Sequence, residues 1–109
     1  MKSKIYSTIF LLLTVMQSSY AGGNSEKSLT ATVHYYKWHT GLLVSHKSMK
    51  NPDGCERADF YMLEKTHPFY KELTALIMAS HLTRQAILFN VDGCSEGFPA
   101  IQHVISEAD

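Results

Sequence analysis

The chain has 109 residues, ten basic and ten acidic side chains, a formal net charge of zero and 45% hydrophobic residues. That is enough for one small domain, and nothing in the charge balance supplies the basic stripe that nucleic-acid binding requires. The core of such a domain is marginal, since about 60 residues bury only about 60% of their unfolded surface, and exported domains of this size usually rely on disulfides.

The N-terminus reads as an address. Lys2 and Lys4 precede an apolar run over residues 9–16 that only Thr14 interrupts, and Ser19-Tyr20-Ala21 places small residues where a signal peptidase cuts. The run is shorter than the roughly 20 apolar residues that a bilayer crossing needs. It predicts a signal peptide over 1–21, cleaved after Ala21, and an exported protein, periplasmic or secreted, with no membrane span after cleavage. Without Lys2 and Lys4, 8 basic residues face 10 acidic ones, a net charge of −2.

Residues 22–28 are small and polar and predict a loose leader. The domain proper is expected over 29–106. "LTATVHYYKW" (29–38) is rich in β-branched and aromatic residues and predicts a strand. Ala31, Val33, Tyr35 and Lys37 share one face, with Tyr35 assigned to the core. Thr32, His34, Tyr36 and Trp38 share the other. Thr40-Gly41 breaks the run, and "LLVSHK" (42–47) completes a hairpin. Pro52-Asp53-Gly54 makes a turn, and residues 58–63 give a third strand. Thr66 or His67 caps a helix over 68–82, with Pro68 in its first turn. Phe69, Leu73, Leu76, Ile77 and Ser80 fall on one helical face. "QAILFNV" (85–91) is the next strand, ended by Asp92-Gly93-Cys94. A turn over 95–98 and a last strand over 100–106 follow, then a polar tail, 107–109. The order β-β-β-α-β-β is that of a small five-stranded OB-like barrel, mainly β with one amphipathic helix.

The chain has two cysteines, Cys55 and Cys94. In an oxidising compartment they read as one bridge, closing a loop of about 40 residues and stabilising the fold by about 4 kcal/mol on the chain-entropy argument. A metal site would need ligands that no CxxC or HxxxH spacing supplies, and a redox pair would need cysteines close in sequence.

These features together resemble a group of small exported bacterial OB-like proteins that includes the B subunits of AB-type toxins related to subtilase cytotoxin. They are the signal peptide, a first strand ending in His39-Thr40-Gly41, a cysteine after the second strand region, the helix "FYKELTALIMASHL", the strand "AILFNVDGC" entering the second cysteine, and a short last strand. The resemblance spans about 29–106. It implies an OB-like fold, a glycan or protein ligand, and a ring-forming homo-oligomer, a pentamer if toxin-like. In the toxin B subunits a serine near the first strands contacts sialylated glycans. The segment before His39 carries Thr30 and Thr32 but no serine, so no glycan contact carries over.

Six histidines invite an enzymatic reading. His34, His46 and His103 could meet on a barrel as an open zinc site, yet no HExxH is present, and His81 has a plain role at a helix C-terminus. No nucleophile elbow is read in the chain, and both cysteines are committed to the bridge. The expectation is a non-enzymatic exported binding module without cofactor or metal. Its binding surface is placed at the aromatic-polar run Tyr36, Trp38, His39 and Thr40. The alternative is a monomeric or dimeric accessory periplasmic protein that binds no sugar.

Overall fold

The computed structural model describes residues 22–35 and 37–107. The expected signal peptide, Tyr36 and the end of the polar tail lie outside the described residues. The elements are β1 (Gly23–Asn24), β2 (Thr30–Tyr35), β3 (Gly41–His46), β4 (Tyr61–Glu64), α1 (Tyr70–Thr83), β5 (Leu88–Ser95) and β6 (Phe98–Ile105). They form one six-stranded sheet in the order β1-β5-β6-β4-β3-β2. All neighbours are antiparallel except β4 and β6, which run parallel. The strand–helix order is the expected one with a short strand added in front. The sheet is open, with β1 and β2 at its edges, rather than the closed five-stranded barrel the sequence suggests.

The segment read as a loose leader is tied to β5. Gly23 and Asn24 pair with Val91 and Asn90. Buried Ser25 donates its N–H to the Phe89 carbonyl at 2.8 Å, and its hydroxyl accepts the Phe89 N–H at 2.9 Å. Ser28 and Ile87 exchange both backbone bonds. Small polar residues have low strand propensity, so composition could not reveal this pairing; the partner strand imposes it.

Gly41 opens β3 because a side chain there would run into the Leu63 carbonyl of β4. Within β5, Val91 faces Ile101 and Cys94 faces Pro99. One extra residue on β5 makes a bulge, and Gly93 (φ +75°) accommodates it. The strand therefore runs on to Ser95 instead of ending at Asp92. Glu96 (φ +50°) and Gly97 (φ +87°) then form the two-residue hairpin turn to β6, with the positive φ values a type I′ turn requires. Cys55 and Cys94 are joined as expected, with Cα atoms 5.7 Å apart. Asn51 braces the loop before Cys55: its Oδ1 accepts the Cys55 N–H at 2.7 Å and its Nδ2 donates to the Cys55 carbonyl at 2.9 Å.

The main core combines Leu42, Val44, Tyr61, Leu63, Ile77, Ile87, Phe89, Val91 and Ile101. On the sheet's other face Leu43, Met62 and Phe98 are buried, with Phe60 packed against them. His34 packs at a tilt on Phe60, 4.7 Å between centroids, so the chain itself supplies part of the cover over this second face.

Helix α1 starts at Tyr70, two residues later than the periodicity suggests. His67 sets this start: its Nδ1 accepts the Phe69 N–H at 3.0 Å, its carbonyl accepts the Tyr70 N–H, and its Nε2 bonds the Gln102 carbonyl of β6 at 2.9 Å. Pro68 and Phe69 thus lie in the turn, and Phe69 is exposed rather than core-facing. At the other end His81 Nδ1 is hydrogen-bonded to the Thr30 hydroxyl at 2.8 Å, which ties the helix to β2. Ile77 and Ser80 are buried and Leu73 packs on the core, while Leu76 is only half-buried. Ile77→Ala is therefore expected to destabilise the protein by about 2–5 kcal/mol. Leu82→Ala, at a side chain 74% exposed, should change stability little. Chemical denaturation of the oxidised protein checks both, and equal losses would show that the helix presents a different face.

Candidate functional site

The loop between β2 and β3 meets the β5–β6 turn at one end of the sheet. Glu96, at the tip of that turn, accepts the Thr40 N–H and the Thr40 hydroxyl, both at 3.0 Å. It also lies 3.5 Å from His39 Nδ1. His39 packs edge-on against Phe98, with centroids 5.5 Å apart. The Lys65 N–H donates to the Thr40 carbonyl at 3.2 Å, which fastens the same loop to the end of β4. Two loops distant in sequence are thereby held as one rim. The Thr40 N–H and hydroxyl, with a smaller share from His39, hold the Glu96 carboxyl below the usual glutamate range.

Beside this rim opens a cavity of about 530 Å³ lined by Tyr35, Lys37, His39, Lys65 and Tyr70. Tyr35 lies on the core-facing side of β2, as Val33 does, but opposite Leu42 at the strand's end, where the core gives way to the cavity. It is consequently 55% exposed instead of buried in the core. Its hydroxyl accepts a bond from Tyr70 at 2.9 Å. Burial, reinforced by that neighbouring phenol, pushes Tyr70 up to about 12, so its hydroxyl stays neutral at physiological pH. No ion pair joins Lys37 or Lys65 to a described carboxylate, and none of the described residues lining the cavity is acidic. Lys37 Nζ sits 5.2 Å from the centre of the Trp38 ring, which is 71% exposed.

Of the expected binding residues, His39 lines the cavity, Thr40 locks the rim through Glu96, and Trp38 stands outward beside Lys37. Tyr36 lies outside the described residues. Lys37, Lys65, Tyr70 and Glu96 join the site without a signal in the sequence. No local spacing links them, because β4, the helix start and the β5–β6 turn converge only in the fold.

The three histidines considered for zinc do not converge. His46 is buried, with its ring bonded to the carbonyls of Ser28 and Ile87, whereas His103 is exposed. Among the described residues no three His, Cys, Asp or Glu side chains could hold a metal ion together. No helix among them is long and apolar enough to cross a membrane.

No protein-family model matches this chain, and no curated protein or solved structure matches it. The resemblance to toxin B subunits rests on the sequence pattern alone.

The Glu96 contacts predict a pH response of the rim. A carboxyl whose folded-state value is depressed contributes stability above its ordinary value and loses it as pH falls through the depressed one. The rim should therefore loosen below the usual glutamate value of 4.5. Trp38 is the only tryptophan and lies two residues from Thr40, so its fluorescence should report the change. Glu96→Gln should remove the transition; its persistence would place the responsible group elsewhere.

Proposed function

We propose that this protein is an exported, non-enzymatic recognition module that binds an acidic saccharide in the cavity between Lys37, Lys65 and the Tyr35–Tyr70 pair. The observation that carries the reading is the lining: two ammonium groups, two phenols and an imidazole around about 530 Å³, with no acid among them. Phenol faces suit sugar rings, their hydroxyls suit sugar hydroxyls, and the lysines suit a carboxylate or sulfate. Exposed Trp38 extends the apolar surface next to the cavity. The disulfide and the lack of a membrane-crossing helix among the described residues fit an exported protein.

In this reading the sheet curls in the OB manner. Three features support it: the order β5-β6-β4-β3-β2, the parallel β4–β6 pair, and an N-terminal segment that bonds β5 just before β2 bonds β3. The reading also takes the module to self-associate, as the resemblance implies. Phe69, Met78 and Leu82 leave apolar surface exposed along and beside the helix. A monomer by light scattering would remove the ring and leave the cavity reading in place.

Calorimetry with a uronic-acid oligosaccharide and its carboxyl-reduced counterpart tests the proposal. The acidic ligand should bind more tightly and lose affinity as salt rises. The Lys37→Ala/Lys65→Ala double variant should weaken it by about tenfold, the effect of two partly exposed charge contacts. Equal binding of the reduced ligand, or no effect of the double variant, would refute the acidic-saccharide assignment.

A further inference from the structure

Asp53 occupies the turn before Cys55, and both of its carboxylate oxygens point at backbone donors. Oδ2 accepts the Gly93 N–H at 2.7 Å, and Oδ1 accepts the Gly22 N–H at 3.1 Å. A second carboxylate flanks the same residue: a Cβ placed on Gly22 would lie 3.2 Å from Asp92 Oδ1. That Cβ would also lie 2.8 Å from the Val91 carbonyl, so a side chain is poorly tolerated at position 22. Gly22 thus sits closely packed between two acidic groups, at the start of the strand that pairs with β5.

As a peptide N–H, Gly22 carries no charge to match those two acids. Cleavage after Ala21 changes that. Hydrolysis of the Ala21–Gly22 amide consumes one water, leaves the carboxylate on Ala21, and leaves Gly22 with a primary amine that is protonated at neutral pH. The new ammonium keeps a donor for Asp53 Oδ1 and gains a charge in the same place. We propose that the Asp53–Asp92 pair is a receptor for the processed N-terminus of this chain, so that removal of the signal peptide completes an ion pair that locks β1 against β5 beside the Cys55–Cys94 bridge. Asp53 is its principal contact. The proposal rests on the export reading, since it needs the cut after Ala21.

The consequence is a fold that tightens only after processing. A neutral amide gives Asp53 one ordinary hydrogen bond, whereas an ammonium gives a charge-assisted one, about twice as strong. The precursor should therefore hold the β1 edge more loosely than the mature protein.

Two steps test it. First, the exported protein is collected and its mass measured. A chain starting at Gly22 is expected. An exported chain starting elsewhere overturns the receptor and leaves export intact; a chain that stays inside the cell with residues 1–21 attached overturns both. Second, the chain starting at Gly22 is compared with its Nα-acetylated form, which keeps the N–H but removes the charge. Acetylation should lower the melting temperature by about 4–8 °C, the shift expected for the lost increment in a domain of this size. It should have little effect in Asp53→Asn, and the difference should shrink in 1 M NaCl, where screening acts within about 3 Å. The salt comparison needs only the wild-type chain, so it decides the matter even if Asp53→Asn does not fold. No effect of acetylation, or an equal effect with and without Asp53 or salt, would overturn the proposal.

Discussion

A buried imidazole holds together the part of the molecule where three strands come closest to separating. His46 ends β3, and its Nε2 lies 2.8 Å from the Ser28 carbonyl and 2.9 Å from the Ile87 carbonyl. Its Nδ1 lies 3.1 Å from the Ser48 carbonyl and 3.3 Å from the Ser48 nitrogen, so the turn after β3 holds the other side of the ring. Ser28 is where the N-terminal segment leaves β5, and two residues later it joins β3 as β2. Both carbonyls already accept a backbone N–H across the Ser28–Ile87 bridge, and the ring adds a second contact to each. The same ring packs edge-on against Phe89 of the core, 5.0 Å between centroids.

The rim and cavity depend on that frame at one remove. Among the described residues β2 has only β3 as a sheet neighbour, so its position is set by β3, by the Thr30–His81 bond to the helix, and by the crossing at Ser28. Tyr35 and the loop to Thr40 are carried on its end. The opposite wall comes from Lys65, just after β4, and Tyr70, at the start of a helix whose position His67 fixes on β6. Glu96 then joins the two loops. The cavity is thus a product of strand ends and turns carried on a rigid sheet, the usual place for a recognition surface.

Much of the fold was legible because its signals are local. The i, i+3, i+4 spacing around Ile77 and Ser80 marks the helix, β-branched and aromatic runs mark the strands, and a lone pair of cysteines behind a signal-like N-terminus marks the bridge. What escaped was decided by partners distant in sequence. Gly23 to Ser28 became a β edge because β5 offered free backbone groups. The Asp92-Gly93 turn signal proved to be a bulge, because β6 continues past it. Tyr35 follows the core alternation, yet emerges at the cavity because the core ends before the strand does. Of the binding residues, Trp38, His39 and Thr40 were visible as an aromatic-polar cluster. Lys65, Tyr70 and Glu96 were not, since their meeting is a property of the topology.

Under the proposed function this frame presents a cavity for an acidic saccharide. The most direct test is an amide and side-chain NMR titration of the oxidised protein with a uronic-acid oligosaccharide. Shifts centred on Tyr35, Lys37, His39, Lys65 and Tyr70 are expected, with the His46 crossing and the disulfide region unmoved. Shifts centred on another face, or none at saturating ligand, would contradict it.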